Sequence, residues 1–228
     1  MTSPAPARPS RLRFSRLALA TGLIGTVLLS LSLTGTLSAF SASINNTTNT
    51  AGSGTLVMKE TLSASTNPNA TSGTVCSSTD GTSGVNSNAA SCSTINKFGG
   101  DLAMTPGGPS SVVDISIQNT GTTAAKTFTL TPGATCTQSN NGSVNGTAND
   151  LCGKLRVVIT SGSSTVFSGT AATLAGATAS SNPAITMPAA PAAGASVPFK
   201  FTVTLDSSAG NIYQGLSASL PMTWSFAG

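Results

Sequence analysis

Hydrophobic and polar residues alternate along several short segments of this chain. The segments with this alternation are residues 113–118, 126–130, 155–160, 197–206, 216–220 and 222–226. A period of two is typical of a β-strand with one buried face and one solvated face. Turn-forming residues follow two of these segments, as Asn119-Thr120-Gly121-Thr122 and as Pro132-Gly133. The pattern therefore predicts a series of short strands.

Many short strands separated by turns predict an all-β fold built as an antiparallel β-sandwich. Strands that alternate in this way suit two sheets with solvated outer faces. The length of 228 residues favours one domain. Residues 169–196 are rich in Ala, Thr and Pro, and we predict a loop there with a short strand at residues 185–187. Beyond residue 38 no segment has a helical pattern of apolar residues.

The first 38 residues have the three parts of a secretory signal peptide. Residues 1–16 are basic without an acid, residues 17–33 are apolar and uncharged, and residues 35–38 are mostly small. We predict a signal-peptide helix that is cleaved between Ser38 and Ala39. Cleavage after Ala39 or after Ala42 remains open.

The alternative is a signal anchor that stays in the membrane. The apolar run of about 17 residues reaches the lower limit for a membrane span. Gly22, Gly25 and Gly35 interrupt the run, and small residues stand where cleavage would occur, so we favour cleavage and only transient contact with the membrane. The mature chain would then have a flexible N-terminal segment, residues 39–53, followed by the sandwich domain, residues 54–228.

Charged residues are few, and the net charge of +4 comes from basic residues near the N-terminus. Four of the ten basic residues precede the apolar run, which leaves six basic residues against six acidic ones. A neutral mature chain gives no electrostatic basis for binding nucleic acid or anionic lipid. It also has little charge to keep copies apart, so self-association is permitted.

The four cysteines are Cys76, Cys92, Cys136 and Cys152, and each successive pair is 16 residues apart. Four cysteines allow three connectivities. Sequential pairing would clamp two polar loops, residues 76–92 and 136–152, and each clamp would stabilise the fold by about 3 kcal/mol. Export favours disulfides. A zinc site is the alternative, but the chain has no histidine and no closely spaced cysteine pair.

The residues needed for common catalytic sites are missing. The absence of histidine excludes a Ser-His-Asp triad and a histidine-ligated metal. The acidic residues are scattered singly, and no run of them has the spacing of a calcium loop. We therefore predict that the protein is not an enzyme and binds no cofactor.

Short motifs at both ends and in the middle of the chain occur in a characteristic order. Residues 35–40 read GTLSAF, a polar stretch follows, and residues 51–56 read AGSGTL. Pro106-Gly107, the segment 112–118 and Asn119-Thr120-Gly121 form the middle, and residues 211–216 read NIYQGL before a final strand. This order resembles the TasA/camelysin family of exported bacterial fibre proteins. The two cysteine loops look like insertions relative to that family.

The resemblance implies a jelly-roll sandwich and cleavage by a specialised signal peptidase at Ser38–Ala39. It also implies assembly into a head-to-tail homopolymer by donor-strand exchange, in which the freed N-terminal segment completes the sheet of the next subunit. Phe40 and Ile44 are the candidate anchors of that segment. The alternative for residues 39–53 is a solvated leader without a partner.

Three hypotheses for function follow. The first is a secreted, cell-surface structural subunit of extracellular fibres or a biofilm matrix. The second is a monomeric adhesin whose clamped loops bind a ligand. The third is a secreted peptidase, since camelysin-like proteins carry that label, but this chain offers no histidine as a metal ligand.

Overall fold

The computed structural model describes residues 50–80, 88–176 and 184–228. Residues Ser53–Gly228 form a compact unit. The predicted signal peptide, the cleavage site at Ser38 and Ala39 and the anchors Phe40 and Ile44 lie outside the described residues and stay predictions. Within the described ranges no helix has both the length and the apolar character needed to span a membrane.

Strands are the main regular structure among the described residues, and the helices are short. The strands are β1 Met58–Ser65, β2 Val75–Ser77, β3 Ser111–Asn119, β4 Thr127–Pro132, β5 Thr137–Asn140, β6 Leu155–Ser161, β7 Ser164–Thr170, β8 Ile185–Thr186, β9 Ser196–Leu205, β10 Leu216–Ser219 and β11 Met222–Ala227. The helices are α1 Leu151–Lys154 and α2 Ala171–Gly176, and Ser78–Asp80 and Asn211–Tyr213 are 3-10 turns. This composition confirms the all-β class.

The first layer is a six-stranded antiparallel sheet in the order β2-β1-β3-β9-β6-β7. Its central strand β3 buries every second residue, including Val113, Ile115 and Ile117. Opposite Ile115, Phe199 of β9 is also buried. One face of the sheet is therefore the floor of the core, as the alternation predicts.

The second layer has the three-stranded sheet β11-β4-β8 and the two-stranded ribbon β10-β5. In this layer β4 pairs with β11 and β5 pairs with β10, both antiparallel. Pro221 lies between β10 and β11, where the pairing is interrupted. It passes between the layers repeatedly, since β4, β8 and β10 each follow a strand or helix of the first layer. The architecture is sandwich-like.

Aromatic side chains join the two layers. The ring of Phe128 on β4 lies 5.7 Å from that of Phe199 on β9, and the Trp224 ring on β11 lies 4.7 Å from Phe199. Phe226 packs edge-on against Phe128 at 5.0 Å. Phe128, Phe199 and Phe201 are almost fully buried. Because aromatic rings bury large areas and favour these tilted and edge-on geometries, this cluster joins the two layers.

The six predicted strands and the short strand at residues 185–187 are present, with shifts of a few residues at their ends. The loop predicted at residues 169–196 is wrong at its start, where α2 forms. Ala171, Leu174 and Ala175 are buried at helical spacing, and Ala and Leu are strong helix formers. A helix of six residues is too short to give a recognisable helical pattern of apolar residues in the sequence.

The alternation of apolar and polar residues also failed to predict strand β7. Its apolar residues Val166 and Phe167 are adjacent and only half-buried, so they do not follow a period of two. The chain reverses direction at Gly162, which has a φ of 56°, and β7 then pairs with β6. Tertiary pairing here overrides a weak local pattern.

The cysteines pair sequentially. Disulfides join Cys76 to Cys92 and Cys136 to Cys152, with Cα–Cα distances of 6.2 and 6.1 Å. Each therefore closes a polar stretch whose ends lie next to a strand, which confirms two disulfides in this domain.

Replacing Phe128 by alanine should destabilise the domain strongly. The substitution removes a buried ring from the contact between the layers, and we expect the free energy of unfolding to fall by about 3–5 kcal/mol. Urea denaturation measures the change. Thr127→Ala, at an exposed position of the same strand, is the control and should change stability by less than about 0.5 kcal/mol. Equal effects of the two substitutions would show that the aromatic cluster does not join the layers.

Candidate functional site

Strand β11 has one open edge within the described part of the chain. It pairs with β4 alone, and the N–H of Gly133 donates to the carbonyl of Pro221 at 2.7 Å. In an antiparallel ladder every second residue bonds across to the same neighbour. Met222, Trp224 and Phe226 therefore direct their backbone N–H and C=O groups away from β4. A further strand could pair with them.

A groove of about 530 Å³ runs beside this open edge. One wall is the stretch 221–226, and the opposite wall is Leu56, Met58 and Glu60 at the start of β1. The Cys76–Cys92 disulfide holds the stretch 88–92 against β2, where it forms a third wall. The side chain of Asn88 donates to the Leu56 carbonyl and accepts from the Ser78 hydroxyl. The described residues at the two ends of the first clamped loop thus shape the groove.

Trp224 lines the groove and leaves a polar atom without a partner. The residue is half-buried, and its indole Nε1 is buried with no hydrogen bond to any other described residue. A buried donor without an acceptor costs free energy.

A buried ion pair lies in the same groove. The Lys97 Nζ is 2.8 Å from the Glu60 Oε1, and the two side chains are only 12% and 10% exposed. Both residues line the groove. A buried pair of this kind tolerates the loss of both charges better than the loss of one, because a single charge left behind is not compensated.

The chain enters the domain at one end of this groove. The N–H of Thr55 donates to the Thr122 hydroxyl at 3.0 Å, and the Thr122 N–H donates to the Thr55 carbonyl at 2.9 Å. Gly121 is required there, since a Cβ would lie 2.2 Å from that carbonyl oxygen. The next residue, Leu56, lies against Gly228, just beyond the end of β11. Thr55 and Leu56 therefore lie beside the groove.

The second clamped loop lies elsewhere and makes its own contacts. Its Asp150 accepts a hydrogen bond of 2.6 Å from the hydroxyl of Tyr213. This bond, together with burial and the negative charge of Asp150, raises the pKa of the Tyr213 phenol above its usual value. The Lys154 Nζ lies 5.9 Å from the centre of the same ring. Tyr213 thus donates a hydrogen bond to one carboxylate and lies near one ammonium group.

The residues singled out in the sequence have different outcomes. The four cysteines are placed as two disulfides, one at each clamped loop. In residues 50–80, 88–176 and 184–228 no three Cys, His, Asp or Glu side chains cluster as metal ligands would.

The sequence did not reveal the two ion pairs found among the described residues. Glu60 meets Lys97, and Asp114 meets Lys200 at 2.9 Å. The second pair follows from the register of β3 with β9, which places Asp114 opposite Lys200. Once two strands are known to pair, opposite charges at matching positions are a usable signal. Lys97 lies in a loop, and nothing in the sequence connects it to Glu60.

No family model matches this chain, and no curated protein matches it. The role of the groove is therefore argued from its geometry and its chemistry.

Replacing Glu60 by glutamine should destabilise the domain because it leaves the Lys97 ammonium buried without its partner. We expect a loss of about 3–5 kcal/mol in the free energy of unfolding, measured by urea denaturation. Asp114→Asn is the matched control, since it breaks an ion pair whose side chains are 35% and 51% exposed. That change should cost less than about 1 kcal/mol. Equal losses would show that the Glu60–Lys97 pair is solvated.

Replacing Asp150 by asparagine should lower the pKa of Tyr213. The variant removes the negative charge and the charged acceptor that hold the proton on the phenol. Tyr213 is the only tyrosine, so the ultraviolet absorbance of tyrosinate reports its titration directly. Asp101→Asn is the control and should leave the midpoint unchanged. An unchanged midpoint in the Asp150 variant would contradict the hydrogen bond.

Proposed function

We propose that this protein is a secreted structural subunit that assembles head-to-tail into extracellular fibres or a biofilm matrix. In this proposal residues 39–53 of one copy add as a strand to β11 of the next copy. The observation that carries the proposal is the open edge of β11 beside a groove. Strand addition derives its affinity from backbone hydrogen bonds and its register from side-chain pockets.

The pattern of the N-terminal segment suits this groove. Phe40, Ala42 and Ile44 alternate with polar residues, so they would share one face of an extended strand. On β11, Met222, Trp224 and Phe226 share the half-buried face. Apolar side chains of an added strand would continue that face into the groove.

The chemistry of the segment also suits the polar part of the groove. Residues 39–53 carry no charged side chain, so none competes with the buried Glu60–Lys97 pair. An added strand without charges would therefore leave the buried ion pair intact.

The lengths are compatible with exchange between copies. The six residues of β11 span about 20 Å, so a strand from residues 39–44 can cover the edge. Residues 45–53 then act as a tether that reaches about 30 Å when extended. Head-to-tail contacts that do not close into a ring generate filaments.

Export and fold complete the proposal. Cleavage between Ser38 and Ala39 by a signal peptidase would free the strand that assembles. Two disulfides are typical of proteins outside the reducing cytosol and support an extracellular, cell-surface location. The repeated passage of the chain between the two layers supports a jelly roll. The proposed role is structural, without catalysis or a cofactor.

A monomeric binding module is the second candidate function. It is favoured by a separate cavity beside the second clamped loop, since such a loop can hold a binding surface in place. In that case β11 would remain open and copies would not assemble.

Assembly should depend on residues 39–53. We expect the form that starts at Ala39 to give filaments by negative-stain electron microscopy, and the form that starts at Gly54 to stay monomeric. Monomers from both forms at high concentration would contradict the proposal, and so would filaments from both.

Substitutions within the segment sharpen this test. Phe40→Ser with Ile44→Ser removes the apolar anchors and should abolish filaments. Ser41→Thr with Asn45→Thr changes the opposite face of the strand and should leave filaments intact.

Trp224, the only tryptophan, should show a blue-shifted emission when the segment covers it. A blue shift in a monomeric Ala39 form would mean that the segment fills its own groove, which contradicts exchange between copies.

A further inference from the structure

A second cavity, of about 250 Å³, lies at the other end of the six-stranded sheet. The register places Leu205 of β9 opposite Leu155 of β6, whereas the groove adjoins the end where Ile117 pairs with Glu60. The floor of the cavity consists of buried apolar side chains. These are Leu151, Leu155, Val203, Leu205 and Ala209. Leu216 and Ala218 of β10 cover it from the second layer.

The mouth of the cavity is polar. Asp101, Asn211, Tyr213 and Gln214 line it, and all except Tyr213 are exposed. Tyr213 is held in place by its hydrogen bond to Asp150. Apolar walls with a few converging polar groups are typical of small-molecule sites.

The surface around this mouth is unusually apolar for this protein. Four large hydrophobic residues are more than half exposed among the described residues, and three of them belong to this region. Leu102 lines the cavity, and Ile212 lies between the lining residues Asn211 and Tyr213. Val144 lies next to Gly215, where its carbonyl oxygen would meet an added Cβ. Clustered exposed apolar residues mark binding sites.

We propose that this cavity binds a small, neutral, amphipathic molecule. Its compact ring or branched hydrocarbon part would fill the floor, and a hydrogen-bonding end would lie at the mouth near Gln214 and Asn211. The size fits, because an engineered apolar cavity of ~150 Å³ already takes up benzene. A bicyclic molecule therefore suits a cavity of about 250 Å³.

The charges around the cavity favour a neutral ligand. The floor has no charged side chain, and burying an unpaired ion there would be very costly. Near the mouth, Asp101 and Asp150 are acidic and Lys154 is basic, and Asp150 already accepts the Tyr213 hydrogen bond. Two acidic groups against one basic group disfavour an anion, and the uncharged floor offers a cation no partner.

Indole is a suitable probe because it is neutral and bicyclic and has one polar N–H group. Calorimetric titration of the chain that starts at Ala39 should show saturable binding. Ala218→Leu fills the cavity and should weaken binding at least about tenfold. Gln214→Ala, at an exposed mouth position, should weaken it about threefold without affecting folding.

The control is Ala90→Leu, which alters a wall of the groove beside β11 and should leave indole binding unchanged. Absence of saturable binding would overturn the proposal. Loss of binding in the Ala90 variant alone would place indole in the groove and also overturn it. Glucose is the polar comparator of similar size, and its binding with equal affinity would overturn the apolar class of ligand. Filament formation is not needed for any of these outcomes.

Discussion

The packing of aromatic rings between the two layers is the contact on which the rest of this structure depends. Phe128 and Trp224 come from the second layer, and Phe199 comes from the first. Charged residues are too few for electrostatics to hold the layers together, and helices contribute only short turns. Because Trp224 must face these rings, β11 is fixed with its outer edge toward the groove. The same packing that builds the core thus creates the open edge.

An open, uncharged strand edge is unusual for a protein that remains monomeric. Natural sheets protect their edges with charges, prolines or covering segments. β11 reads MTWSFA, with neither a charged residue nor a proline within its length. In the proposed assembly the exposed edge is the functional surface, and the balanced charge of the mature chain removes the repulsion that would oppose association.

The two disulfides fix the ends of the polar loops. A loop rich in Ser, Asn, Gly and Thr buries little apolar surface and cannot order itself by packing. The covalent link of Cys76 to Cys92 places residues 88–92 along the groove, and that of Cys136 to Cys152 places Asp150 near the second cavity. Each clamp therefore fixes the wall or rim of a different concave site.

The sequence by itself determined the all-β class, the main strands and the positions where disulfides could form. Alternation along β3 and β9 is a local property, since burial of one face requires every second residue to be apolar. The even spacing of the cysteines and the absence of histidine are also read directly from the chain.

Only the tertiary structure decided which strand edge stays open and which side chains meet. Glu60 and Lys97 form their ion pair because a loop folds over β1, and no local pattern records that approach. The groove and the cavity exist because segments far apart in sequence, such as Leu56 with Phe226 and Leu151 with Leu216, border the same space. Strand order and loop placement depend on the sum of many distant contacts, so no single segment determines them.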